Sequence, residues 1–102
     1  MKYTIVKVAF DNIDILNTTK VHLLNERLIA GAQVSRINST WRWKGNLETS
    51  MEYMLELKTK EKNIKDIYNI IRQYHNYDCF EFTYYNVNCS KEFYEWIEEE
   101  VK

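Results

Sequence analysis

Residues 32 to 58 constrain the fold more than any other part of the chain. Gly45-Asn46 is a pair that tolerates positive φ, so it predicts a tight hairpin turn. Beyond it the residues alternate. Leu47, Thr49, Met51, Tyr53, Leu55 and Leu57 fall on one face, and Glu48, Ser50, Glu52, Glu56 and Lys58 on the other, with Met54 the exception. This is the period of a strand with one buried side. Before the turn, Ala32 to Lys44 reads as a partner strand of similar length. Val34 and Ile37 are out of phase, which predicts a bulge or bend between them. A hairpin this long outruns the helices that two short connections can supply.

The other segments complete a β-α-β-β-α-β order with one further helix. Tyr3 to Phe10, rich in β-branched and aromatic residues, is a strand bounded by Asp11-Asn12. Asp11 or Asn12 can cap a helix over Ile13 to Leu28, with Leu16, Leu24 and Leu28 on one face. Thr59 can cap a second helix, in which Ile64, Ile67, Tyr68, Ile71 and Tyr74 or His75 keep i, i+3, i+4, i+7 spacing. Phe80 to Val87 is the fourth strand. Ser90 caps a last helix carrying Phe93, Trp96, Ile97 and Val101. Its final turn, Glu98-Glu99-Glu100, opposes the helix dipole and predicts fraying. The order is that of a ferredoxin-like α+β sandwich, an antiparallel sheet under two helices. Residues 1–102 form a single domain. The overhanging hairpin needs cover, which a neighbouring subunit can provide.

Charge narrows the function. The formal net charge is −1, which offers no footprint for nucleic acid or an anionic membrane. No run approaches the ~20 apolar residues of a membrane span. Lys7 interrupts the apolar run that a signal peptide needs, so a cytoplasmic location is expected. Cys79 and Cys89 make no disulfide framework. No G-x-S-x-G, phosphate loop or H-E-x-x-H occurs, so no enzyme activity is expected. Acylphosphatase chemistry would need a phosphate-cradling loop after the first strand, and Phe10-Asp11-Asn12-Ile13-Asp14 is not one.

Four segments carry a resemblance. Asn25-Glu26-Arg27-Leu28-Ile29-Ala30-Gly31-Ala32-Gln33-Val34 looks like an E-R-L-(I/A)-A-C-A-x-V motif. Ser39-Thr40-Trp41-Arg42-Trp43-Lys44-Gly45 looks like an S-I-Y-x-W-(K/E)-G hairpin. His75-Asn76-Tyr77-Asp78-Cys79-Phe80-Glu81-Phe82 looks like H-P-Y-E-x-P-E-I, and Tyr94-Glu95-Trp96-Ile97 a terminal Y-x-x-W-(I/L) helix. Together, and in this order, they resemble the CutA divalent-cation tolerance family along nearly the whole chain. The resemblance implies a trimer of ferredoxin-like subunits whose extended hairpins join neighbouring sheets. It also implies a role in tolerance of divalent cations, copper above all, and a PII-like architecture with ligand clefts between subunits. The chain departs from the family at Gly31, where members usually carry Cys, and at Asn76 and Phe80, where they carry Pro.

The resemblance makes His75 the leading metal candidate, since neutral imidazole suits copper and zinc. Cys79 and Glu81 follow closely and complete a candidate donor set, with Cys79 a replacement for the thiol missing at Gly31. Against this, His75 at a helix end can simply meet the last carbonyls of its own helix. Tyr77, Glu81, Trp41 and Trp43 are the candidates for an inter-subunit cleft. Trp41 and Trp43 share one strand face and suit interface burial. A PII-like trimer that holds a small ligand or protein partner in that cleft is the alternative function. His22 reads as a surface residue, and Cys89 as an incidental thiol.

Overall fold

The computed structural model describes all of residues 1–102. Strands β1 (Lys2–Phe10), β2 (Gly31–Trp43), β3 (Asn46–Thr59) and β4 (Phe82–Asn88) form one antiparallel sheet in the order β2-β3-β1-β4. Helices α1 (Ile13–Asn25) and α2 (Ile64–Tyr74) cover one face. Helix α3 (Lys91–Glu100) follows β4. The fold is the ferredoxin-like arrangement that the element order predicted.

The core lies between the sheet and the first two helices. Val6, Val8 and Phe10 of β1 and Leu55 and Leu57 of β3 meet Leu16, Leu23, Ile67 and Ile71 in one buried cluster. Asn12 caps α1, its side chain accepting from the N–H groups of Asp14 (2.9 Å) and Ile15 (3.0 Å). The helix ends earlier than the sequence predicts, and its buried stripe is Leu16, Thr19 and Leu23, with Leu24 exposed. Arg27 causes this by adopting φ 57. Leu28 N–H then donates to Leu23 O (3.1 Å) and Arg27 N–H to Leu24 O (3.0 Å), the paired bonds that close a helix on a left-handed residue. Leu28 is buried beyond the helix, not on it. Thr59 caps nothing. It ends β3 and donates to Leu28 O (2.6 Å), and a 3-10 turn over Glu61–Asn63 leads into α2.

The hairpin also differs in detail. Lys44 (φ 51) and Gly45 (φ 83) form the two-residue turn, and Trp43 pairs with Asn46. Positive φ at both central residues is what a type I′ turn requires. Pairing runs unbroken from Trp43↔Asn46 to Gly31↔Lys58, so the bulge expected between Val34 and Ile37 is absent. Their phase conflict is tolerated because β2 is the edge strand, where Val34 stays 40% exposed and Ile37 is only half-buried. Leu47 is 69% exposed and Met51 50%. The arm stretches the molecule to 45 × 25 × 21 Å. Only the inner half of β3 therefore has the buried side that the alternation predicts.

Helix α3 lies on the other face of the sheet. Phe93 meets Tyr3 edge-on with centroids 5.3 Å apart, and Trp96 reaches the open side of Gly31. Its acidic end does not fray. Arg27 donates from Nε to Glu100 O (3.2 Å) and from Nη2 to Glu99 O (3.0 Å). Lys60 pairs with the Glu98 carboxylate (2.9 Å), Asn63 donates to Lys102 O (2.9 Å), and Lys102 N–H donates to Arg27 O (3.0 Å). A cation brought from another element supplies what the helix's own sequence withholds.

Arg27 thus ends α1 with its backbone and α3 with its side chain. Arg27→Ala should lower unfolding free energy by about 1–2 kcal/mol and speed amide exchange over the last turn of α3. Arg27→Gly should be milder in chemical denaturation, because glycine relieves a left-handed strain of about 1 kcal/mol. Equal losses in the two variants would mean that the left-handed backbone carries no cost.

Candidate functional site

The α2–β4 connection, residues 75 to 81, folds over the end of β1. His75 holds it there. The ring is 6% exposed and stacked between Phe10 and Phe80, with centroids 4.4 Å away on each side. Nε2 lies 2.7 Å from Ala9 O, and Tyr77 N–H donates to Nδ1 at 3.1 Å. A carbonyl only accepts and an amide N–H only donates, so the ring is the neutral Nε2–H tautomer. Burial pushes the pKa of His75 below its ordinary value, and Arg72 adds to the depression against the opposing Ala9 bond, Asp11 and Glu52.

Arg72, at the end of α2, secures the rest of the connection. It donates to His75 O (3.1 Å), Tyr77 O (2.5 Å) and Asp78 O (3.1 Å), and its guanidinium lies 4.7 Å from the centroid of Phe80. Asn76 reaches Asp11 (3.1 Å). Tyr77 can then donate its hydroxyl to Glu52 Oε2 at 2.5 Å. Burial first, and then that bond, hold the phenol well above its usual pKa.

Between this connection and the face of the hairpin arm that runs from Glu52 to Trp43 lies a cleft of about 630 Å³. Trp41, Trp43, Tyr77, Cys79 and Glu81 all line it, so five of the six candidate residues gather at one place. The sixth, His75, does not share it. Its ring supports the wall from behind, and both its nitrogens are engaged, with β1 and with the loop backbone. The bond to Ala9 O goes to a neighbouring strand and not to its own helix. Cys79 and Glu81 are exposed. No three His, Cys, Asp or Glu side chains converge closely enough to hold a metal ion. The donors of one chain therefore do not fit a complete metal site.

Gly31 lies at the far end of β2 from the cleft, six residues from Ile37, which pairs with Glu52. That is roughly 20 Å along a strand, so Cys79 does not stand in the place of the absent thiol within one chain. A Cβ on Gly31 would come within 3.3 Å of Trp96 Cη2, and the indole fills that space. His22 is more than a surface residue: Nδ1 lies 2.6 Å from Tyr74 Oη and ties α1 to α2.

The sequence reading missed Glu48, Glu52, Asp78, Phe80 and Arg42, which also line the cleft. Strand parity offered part of this, because Trp41 faces Glu48 and Ile37 faces Glu52. It placed Glu52 on a solvent face, whereas the residue is 5% exposed. Only the overlying 75–81 connection makes the difference.

A family model described as CutA1 divalent ion tolerance protein matches residues 4–100. The divalent-cation tolerance protein CutA of Thermotoga maritima is 34% identical over 80 residues, covering 78% of this chain and 79% of that protein. The crystal structure of CutA1 from Pyrococcus horikoshii superposes with a TM-score of 0.90 at 27% identity, covering 97% of this chain and 98% of that one. A protein from Archaeoglobus fulgidus, described as a periplasmic divalent cation tolerance protein CutA, gives 0.93 at 21% identity over the full length of both chains. That likeness shows the shared fold.

The neutral His75 makes stability depend on pH. An unfolded histidine takes up a proton near 6.5, while the folded ring resists until lower pH. The unfolded state then binds more protons, so stability falls as pH drops from 6.5 towards the folded pKa and is full above that window. His75→Gln should remove this slope in denaturant unfolding followed between pH 7 and 5. An unchanged slope would mean that the ring is not held neutral.

Proposed function

The chain belongs to the CutA1 divalent ion tolerance family, and from that premise we propose that it acts in divalent-cation tolerance as a homotrimer. In this reading the hairpin arm of each subunit covers a neighbour and completes its cleft. The observation that carries the proposal is the arm itself. Its outer half exposes Trp43, Leu47 and Met51 with no cover from the chain's own helices. Apolar side chains and unpaired strand edges of this extent are ordinarily buried by a partner. Copper is the first cation to test, with Cys79 and Glu81 the accessible donors and the remaining ligands supplied across the subunit boundary. A thiolate suits Cu(I), and a carboxylate suits harder divalent ions.

A second reading is a PII-like trimer that holds a small ligand or a protein partner in the cleft, with effects on cation tolerance arising indirectly. The shortage of converging metal donors within one chain favours it.

Light scattering should give three times the chain mass. Calorimetric titration with copper should show binding that Cys79→Ser weakens at least about tenfold. A monomer would overturn the trimer. Copper affinity unaffected by Cys79→Ser and Glu81→Gln would remove those donors and leave the ligand-cleft reading. Loss of copper binding in a folded His75→Ala variant would return His75 to the donor set.

A further inference from the structure

The α2–β4 connection is held by side chains alone. Residues 76–81 lie outside every helix and strand, and none of them joins the backbone–backbone hydrogen bonds found between elements. A segment without ladder bonds opens more easily than the elements beside it. Its anchor is the His75 ring, stacked on Phe10 of β1 and on Phe80. Unlike the other ties, this anchor works in only one protonation state. Ala9 O takes the hydrogen on Nε2, so Nδ1 must keep its lone pair for the Tyr77 N–H, 3.1 Å away. A hydrogen on Nδ1 would point at another hydrogen, and an amide nitrogen accepts none. Turning the ring over would carry Nε2 away from Ala9 O and offers no escape.

We propose that the connection is an acid-released latch: a proton from solvent on His75 Nδ1 expels the Tyr77 N–H, and residues 76–81 lift from β1 while the sheet and helices stay folded. The latch reaches the cleft, because Tyr77 to Glu81 form one of its walls and Tyr77 covers Glu52. Charged groups face the ring from several elements. Arg72 of α2 opposes an imidazolium, while Asp11 at the end of β1 and Glu52 of β3 favour one. Both carboxylates are already engaged by the connection, Asp11 by Asn76 and Glu52 by Tyr77. Tyr77, whose ring tilts against His75 at 4.9 Å, carries no charge. Burial is the largest influence and keeps the closed ring neutral below the ordinary 6.5. The released ring, in water, takes the proton more readily, so falling pH favours the open form. Phe10, Ile67 and Ile71 stay in the main buried cluster, to which the connection adds only Phe80 at the border. Opening is therefore local.

Exchange of the Tyr77 amide would be followed by NMR in the intact protein at pH 7 and pH 5, corrected for the intrinsic effect of pH, with light scattering at both. One proton taken up on opening changes the opening constant by up to about tenfold per pH unit. Protection of Tyr77 should fall about tenfold or more, with β1 and α2 amides and the oligomer mass unchanged. The chain has two histidines. Imidazole NMR should show His75 protonating over the range in which protection is lost, and His22→Gln should leave that loss intact. His75→Gln should abolish it. If His75→Gln fails to fold, the ring titration and His22→Gln carry the test. Protection that holds at pH 5, falls equally across the core, falls only when subunits separate, or follows His22 would overturn the proposal. No metal or ligand is read, so failure here is distinct from failure of the cation-tolerance reading.

Discussion

One ring ties the sheet to the segment that covers it. His75 lies between Phe10 of β1 and Phe80 of the α2–β4 connection, with one nitrogen bonded to β1 and the other to the connection's backbone. Stacking and two hydrogen bonds act on the same few atoms, so the segment has little freedom to lift. Arg72 adds three bonds to the carbonyls of that segment. Tyr77 is thereby aimed at Glu52, and a strand residue of ordinary exposed character becomes the buried floor of a cleft. Without His75 the connection would keep the bonds of Arg72, Asn76 and Tyr77 but lose its stacked anchor on β1.

The hairpin arm poses the opposite condition. Its two strands pair with each other without a break from turn to base, yet its outer side chains face solvent on both sides. Cross-strand contacts alone stabilise a two-stranded ribbon only marginally. The arm's order therefore depends on continuity with the inner sheet, where Leu55 and Leu57 are buried against the helices. Trp41 and Trp43 sit towards the turn, on the strand face they share with Glu48 and Glu52, and the 75–81 connection approaches that face. The cleft arises at that junction because neither element covers the other completely.

Much of this was legible in the residues. Alternation, the glycine at the turn and the isoleucine stripe of α2 fixed strands, hairpin and helix without reference to distant contacts, because each is a local steric or amphipathic preference. The segments around Trp41 and His75 meet at one cleft. The failures share one cause. Fraying of α3 was inferred from its own carboxylates, but Arg27 reaches it from 72 and 73 positions away. The bulge in β2 was inferred from a phase conflict, but β2 is the edge strand, where Val34 stays exposed and Ile37 half-buried. Thr59 resembled a cap, but Leu28 O offered its hydroxyl a buried acceptor.

The sequence by itself determined the order of elements, the excess length of the hairpin and the presence of His75, Tyr77, Cys79 and Glu81 in one short segment. Those follow from periodicity, turn chemistry and proximity along the chain. The tertiary structure alone decided that His75 is a buried brace rather than an open ligand. It also decided that Glu52 is sequestered while Glu81 stays exposed. The reason is physical: whether an imidazole or a carboxylate meets water depends on what lies over it, and here much of the cover comes from residues 25 to 66 positions distant, whose placement no local pattern encodes.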